Sequence, residues 1–207
     1  MVKVRSRPWV LGVSNHLIWK CPTKYISRQF SSKVSNNHMD IGVGSGYYLK
    51  KHLPLDTRRI ALVDLNDNSL ESASKAIRYR KLPVEIFKRN ILEPLKLEGE
   101  KFDSVSINYL LHCLPGSLEN KKIVFSNIKD ILNDDGVIFG STILGKGIKK
   151  NFVAGKLMDF YINKGIFSNY NDDLATLVIT LNEFFYDIEV SVIGCVAIFS
   201  GNKSYGS

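Results

Sequence analysis

The chain is poor in the residues and patterns that would place it outside ordinary globular enzymes. Only three cysteines occur among 207 residues, Cys21, Cys113 and Cys195, scattered and without CxxC spacing. That excludes a disulfide framework and a cysteine-built zinc site, so no metal is expected, and it suits a reducing compartment. No apolar run approaches the roughly 20 residues that span a bilayer. The basic N-terminus, "MVKVRSRPWVLGVSNHLIWK", lacks the apolar core and cleavage site of a signal peptide. A soluble, cytoplasmic protein with no membrane partner is expected. There is no internal repeat, low-complexity tract or Pro/Gly linker. There is also no arginine-rich block, because the net charge of +8 is spread over short clusters such as "RSR", "TRR", "RYRK" and "KGIKK". Dispersed charge of this kind reads as a solvated basic surface, with nucleic acid disfavoured as a partner but kept open.

Hydrophobic residues at 44% and charged residues at 23% are enough to build a sizeable core. Strand and helix signals alternate, as in a mostly parallel sheet covered by helices. Strands are expected at 37–41, 58–65, 83–90, 102–110 and from 132. Two more follow within "YDIEVSVIGCVAIFSG", hinged at Gly194 and pairing antiparallel. Helices are expected after the first strand, over 68–80 with Asn68 as cap, over 117–133 behind Ser117, and twice within 148–184, broken near "NKGIFSN". One domain is expected over 1–207: a helical N-terminal lid (1–36), a core (37–201), and a helical insertion at 148–184.

The chemistry starts at "HMDIGVGSGYYL", residues 38 to 49. Glycines between a strand and a helix let the backbone approach a ligand and adopt φ > 0, at a helix N-terminus rich in free N–H groups. Asp64, closing the next strand, can accept hydrogen bonds from ribose hydroxyls. These two features fit a dinucleotide or an S-adenosyl nucleoside. The spacing GxGxG, with Tyr47 where a dinucleotide turn has its third glycine, argues against the former. Asp40 would repel a pyrophosphate, yet can hold the amino group of a methionine-like moiety.

In this order the motifs resemble those of the class I S-adenosylmethionine-dependent methyltransferases. "DIGVGSG" is similar to the first motif, "ALVDLNDNSL" to the second, "RNILEPL" to the third and "FDSVSINYLLHCLPG" to the fourth, followed by "LNDDGVIFGSTIL". The resemblance implies an α/β, Rossmann-like, doubly wound seven-stranded sheet, mostly parallel with the last strand inserted antiparallel, and helices on both faces. It implies S-adenosylmethionine as cofactor and S-adenosylhomocysteine as product. Asp40, Gly42, Gly44 and Gly46 would line the methionine and ribose side, Asp64 the ribose and Leu65 the adenine. Asn90, where the family often has Asp, and Ile91 would flank the adenine edge, with Asn108 near the methionine half.

Methyl transfer is an in-line displacement, needing a base only when the acceptor is un-ionised. His112 is the candidate for accepting a substrate proton near neutral pH, with a pocket-shaping role as the alternative. Tyr109 is the candidate for orienting substrate, and Cys113 reads as an inert core thiol. Trp19 and Tyr25 in the lid (beside Phe30 and His16), and Tyr161, Phe167 and Tyr170 in the insertion, are candidates for an acceptor pocket. The expected activity is methyl transfer to O, N or C of a small aromatic or heterocyclic molecule, by a monomer or homodimer. An RNA or DNA methyltransferase is the alternative, against which stands "NYLLHC" in place of an Asn/Asp-Pro-Pro-Tyr motif. A non-catalytic cofactor-binding module is the other.

Overall fold

The computed structural model describes residues 17–97 and 99–204, so the candidate His16 and the lid before Leu17 lie outside the described residues. The elements follow the expected alternation. Helix α1 (Thr23–Lys33) precedes β1 (Asn37–Ile41), α2 (Tyr47–His52), β2 (Arg59–Asp64), α3 (Asp67–Ile77), β3 (Val84–Lys88) and β4 (Phe102–Asn108). Then come α4 (Leu118–Ile131), β5 (Leu132–Ile143), α5 (Phe152–Asn163), α6 (Leu174–Phe184), β6 (Tyr186–Ile193) and β7 (Val196–Asn202). One seven-stranded sheet runs β3-β2-β1-β4-β5-β7-β6. Strands β1 to β5 pair in parallel, and β7 runs antiparallel to both neighbours.

The order reverses between β1 and β4, and at such a switch point the loops at the strand C-termini splay apart and open a crevice. The inner strands β1, β2, β4 and β7 are buried on both faces, whereas the edge strands β3 and β6 are largely half-buried or exposed. Within each, alternate residues serve opposite sides. Met39 and Ile41 of β1, with Ala61 and Val63 of β2, join Phe125 and Ile128 of α4 and Leu177 and Leu181 of α6 in one core cluster. Ile60 and Leu62 belong instead to a cluster with Phe30 of α1, Leu49 of α2 and Leu70 and Ala73 of α3. His38 and Asp40 share that second face, both buried.

Local chemistry sets the helix ends. The Ser117 capping box opens α4 as expected. In α3 the cap is Asn66, whose side chain accepts from the Asn68 N–H. The structure thereby corrects the assignment to Asn68, while Glu71 pairs with Lys75 one turn on. At Gly194, φ is +60°, and a Cβ would lie 2.2 Å from the Trp19 carbonyl oxygen. The β6–β7 turn therefore seats the segment before α1, through a Cys195 N–H···O Trp19 bond of 2.8 Å. No helix among the described residues is long and apolar enough to cross a membrane.

Candidate active site

The crevice is built around "GVGSG" between β1 and α2. Gly42, Gly44 and Gly46 have φ of +74°, +51° and +69°, but for different reasons. A Cβ on Gly42 would stand 2.9 Å from Leu110 Cδ2, and one on Gly46 2.7 Å from Ala73 Cα. Both are packed closely by the protein itself. At Gly44 a Cβ would meet nothing within 4 Å. The protein leaves that position open, as a backbone cradle requires.

Asp64 sits beside it at the end of β2. Its carboxylate accepts from the Asn66 N–H at 2.9 Å. Burial raises its pKa, opposed by hydrogen bonds from the backbone N–H groups of Asn66, Gly44, Leu65 and Val43. The acid and the glycine turn thus brace one another. A slot of about 70 Å³ lies between them and the turn after β3, walled by Val63, Leu65, Ile91, Leu110 and Leu114, with Asp64 and Asn90 at its polar edge. Aliphatic walls with a polar rim suit a flat heterocycle. Asn90 Oδ1 accepts from the Leu92 N–H at 3.1 Å, and its amide faces Glu93 at 3.2 Å. Asn127 of α4 holds this turn, donating to the carbonyls of Ile91 and Glu93 at 2.8 and 3.0 Å.

Toward β4, Asp40 is buried and accepts a hydrogen bond from Ser106. Burial pushes its pKa up to about 7, the Ser106 bond opposing and the Asp64 charge adding. Asn108 accepts from Ser141 at 2.9 Å, and its Nδ2 is a buried donor without a partner among the described residues. An open glycine cradle, an orphaned amide donor and two carboxylates around an apolar slot fit a nucleoside that also carries an amino-acid group.

Comparison with known proteins decides the family. A family model described as "Methyltransferase domain" matches residues 39–138. The Physcion biosynthesis cluster O-methyltransferase of Aspergillus chevalieri is 44% identical over 197 residues, covering 94% of this chain and 88% of that protein. The chain belongs to the class I S-adenosylmethionine-dependent methyltransferases. Demethylluteothin O-methyltransferase of Streptomyces thioluteus is 35% identical over 184 residues, covering 88% and 79%. The fold is that of N-methyltransferase NodS from Bradyrhizobium japonicum WM9, solved in complex with S-adenosyl-L-homocysteine (TM-score 0.62, 14% identity, 88% and 87% covered).

On the far side of the methyltransferase's glycine turn, the aromatic candidates gather around Phe167. Its ring lies 4.5 Å from His112, 4.8 Å from Tyr161 and 5.9 Å from Trp19. Tyr25 and Tyr109 pack against the same cluster. Tyr109 stands at φ +55°, its hydroxyl against the Cys21 thiol and its pKa driven upward by burial. Tyr170 stands apart, largely exposed. It lines a cavity of about 540 Å³ with Cys113, Pro115, Ile162 and Phe167. Cys113 is therefore no core thiol: the residue is exposed at this cavity, while desolvation by the surrounding protein pushes its pKa up to about 11. The Cys113–Leu114–Pro115 turn is a shared wall, since Leu114 lines the slot and its two neighbours line the cavity.

His112 is buried, with Nδ1 3.4 Å from the Ile143 N–H and from the Thr142 hydroxyl. The Ile143 N–H makes Nδ1 an acceptor, so Nε2 carries the hydrogen. Burial, with the nearby Lys121 charge, lowers its pKa to about 3. That argues against the proton acceptance near neutral pH expected of it, and its ring packs edge-to-face with Phe167. His112→Gln is expected to keep the shape of the pH–rate profile between about pH 5 and 8. Its rate loss should be smaller than the 10²- to 10⁴-fold that removal of a general base brings. A basic limb lost with a midpoint in that window would return the role to His112.

The sequence reading missed Ser106, Asn127, Leu110 and Leu114. Ser106, Leu110 and Leu114 lie within the fourth motif, and only the two leucines had a local signal, as apolar residues flanking His112.

Proposed function

We propose that the enzyme methylates a hydroxyl oxygen of a small aromatic or heterocyclic molecule, with S-adenosylmethionine as donor. The donor's adenine would lie in the slot beside Asp64, its ribose on Asp64 and its methionine part along Gly44, Asn108 and Asp40. The observation carrying the reading is the 540 Å³ cavity separated from that slot by the 113–115 turn. A volume in this range suits a small molecule. The oxygen specificity follows the relatives, several of which are O-methyltransferases.

The bound donor supplies an electrophilic methyl group. This chain's residues bind, align and exclude water. Gly44 admits the donor's backbone-facing side, Asp64 and Asn90 fix its register, and Phe167 and Tyr170 give a ring a surface on which to stack. Within the cavity, the Cys113 thiol stays protonated, and Asp172 is held by Lys121 at 2.7 Å. With the thiol protonated and the carboxylate engaged by Lys121, the acceptor we propose is a hydroxyl acidic enough to ionise by itself, a phenol or enol. The rate is expected to rise with pH through the acceptor's own pKa.

The test is incubation with methyl-labelled S-adenosylmethionine and a panel of phenols, followed by mass spectrometry. A labelled O-methyl ether is expected, with Tyr170→Ala raising KM more than it lowers kcat. Label appearing only in added RNA would overturn the acceptor class. Absence of S-adenosylmethionine binding at high micromolar concentration would overturn the donor site.

A further inference from the structure

A continuous chain of polar side chains runs under the glycine turn, inside an otherwise apolar layer. Parallel pairing of β1 with β4 sets His38 opposite Ser104 and Asp40 opposite Ser106. His38 Nδ1 is 2.8 Å from Ser104 Oγ, His38 Nε2 is 3.1 Å from Ser106 Oγ, and Ser106 Oγ donates to Asp40 Oδ1. At the other end Ser104 Oγ meets Ser35 Oγ at 2.8 Å and accepts from the Ser35 N–H at 2.9 Å. Ser35 is half-buried, whereas His38, Ser104 and Ser106 are fully buried. The imidazole is clamped between Phe139, stacked at 5.7 Å, and the edge of Phe30 at 5.5 Å. Polar residues in a packed core cost more than apolar ones unless each is hydrogen-bonded, as all three are here.

The chain has two self-consistent hydrogen arrangements. With Asp40 ionised, Ser104 Oγ–H donates to Nδ1, Nε2–H donates to Ser106, and Ser106 Oγ–H donates to Asp40. Adding one proton at Ser35 moves each hydrogen one link along. Ser35 passes its hydrogen to Ser104, Ser104 passes one to Nδ1, Nε2 passes its hydrogen to Ser106, and Ser106 passes its own to Asp40. Asp40–OH then donates to Ser106, Ser106 to Nε2, Nδ1–H to Ser104, and Ser104 to Ser35. No hydrogen is lost or left without an acceptor, and His38 is neutral in both states but with the opposite tautomer.

We propose that Ser104, His38 and Ser106 are positioning residues that orient Asp40, keep it ionised for the donor's ammonium group and deliver its proton from Ser35, on the side away from the donor. This rests on the reading that Asp40 holds that ammonium. Asp40 titrates near 7 under burial, the Ser106 bond and the Asp64 charge, and His38 is lowered to about 3 by burial. The groups facing this pair are Asp64 from β2 and Tyr48 from α2, whose charge is coupled to that of Asp40, and the serines of β4. Phe30 of α1 and Phe139 of β5, which flank the imidazole, carry no titratable group. Asp64 disfavours a second negative charge, so the Ser106 hydrogen bond is what supports the anion.

The test uses the full chain labelled with ¹⁵N and S-adenosylhomocysteine as probe. Long-range ¹H–¹⁵N spectra are expected to show His38 passing from Nε2–H above neutral pH to Nδ1–H below it, and to show no such passage in Asp40→Asn. Calorimetry should show affinity for S-adenosylhomocysteine falling by up to about tenfold per pH unit below the Asp40 midpoint. Ser106→Ala removes a bond to the charged form, so its midpoint should move to higher pH, with Ser106→Thr restoring it. A His38 tautomer constant across the titration overturns the proposal and needs no variant to fold. A folded Ser106→Ala with the wild-type midpoint overturns it as well. An S-adenosylhomocysteine analogue lacking the amino group separates the two readings. If its affinity has the same pH dependence, the ammonium contact of Asp40 fails, whatever His38 shows.

Discussion

Gly44→Ala is expected to weaken S-adenosylhomocysteine binding by at least about tenfold while costing only about 1–2 kcal/mol of stability, the strain of an L-residue at positive φ. Gly46→Ala is expected to cost about 2–5 kcal/mol, because the same strain is joined by overpacking of about 1–3 kcal/mol. The difference lies in what each absent Cβ would meet: nothing within 4 Å at Gly44, and the Ala73 backbone at 2.7 Å for Gly46. One glycine keeps space for a ligand, and the other lets α2 start against α3. Calorimetry with S-adenosylhomocysteine, paired with equilibrium denaturation of each variant, separates the effects. Equal losses of affinity for equal losses of stability would remove Gly44 from the cradle. A thermal shift alone would not discriminate, because a destabilised protein also reports a lower apparent affinity.

The glycine turn shows what a sequence can and cannot disclose here. A strand is legible from its own residues, since period and β-branching are local. Asn37–Ile41 was bounded to the residue, and the antiparallel β6–β7 pair followed from the hinge at Gly194. Helix starts were less exact where several capping residues crowd together. In "DLNDNSL" the geometry after Asp64 puts Asn66 at the cap, though Asn68 has the same chemistry. The strand-end positions of Asp40, Asp64 and Asn108 were also readable, because motif order determines which strand ends share the crevice.

Register was not readable, and the rest of the site depends on it. Nothing near Asp40 in sequence says that Ser106 is its partner, or that His38 lies between two serines of β4. Those contacts arise only when β1 and β4 pair with no slip. A one-residue shift would turn every side chain to the other face. The burial of His112 was unreadable for a related reason: the packing of Phe167 and the β5 end encloses it, and desolvation then lowers its pKa. Of the residues proposed between strands five and six on the family resemblance, Phe167 and Tyr170 line the cavity, while Tyr161 packs with Trp19 in the neighbouring aromatic cluster.

Lys121→Met is expected to cost about 3–5 kcal/mol, because it leaves a buried carboxylate alone. Lys121 Nζ donates to Asp172 Oδ2 and to the Ser168 carbonyl, each at 2.7 Å, with both charged side chains at or below 1% exposure. The pair pins the 168–172 segment to α4, and the Asp172 carbonyl receives the Gly145 and Lys146 N–H groups at the end of β5. Burial already raises the Asp172 pKa despite its partner, and loss of Lys121 raises it further. A folded-state pKa above the unfolded value means that the variant's deficit is smallest in acid, where Asp172 is protonated in both states. The deficit grows as pH rises toward the folded-state pKa. Lys121→Met combined with Asp172→Leu should recover most of the stability, since a well-packed apolar pair escapes the desolvation cost of two ions. Urea denaturation of both variants across pH checks the order. A single variant as stable as the double would show that the charges are not what secures the segment. The recovered double variant then isolates the cavity's polar floor from its scaffold: if it folds normally yet loses affinity for a phenolic acceptor, the Asp172 carboxylate takes part in holding the acceptor. Unchanged affinity would leave recognition to Phe167, Tyr170 and the 113–115 turn.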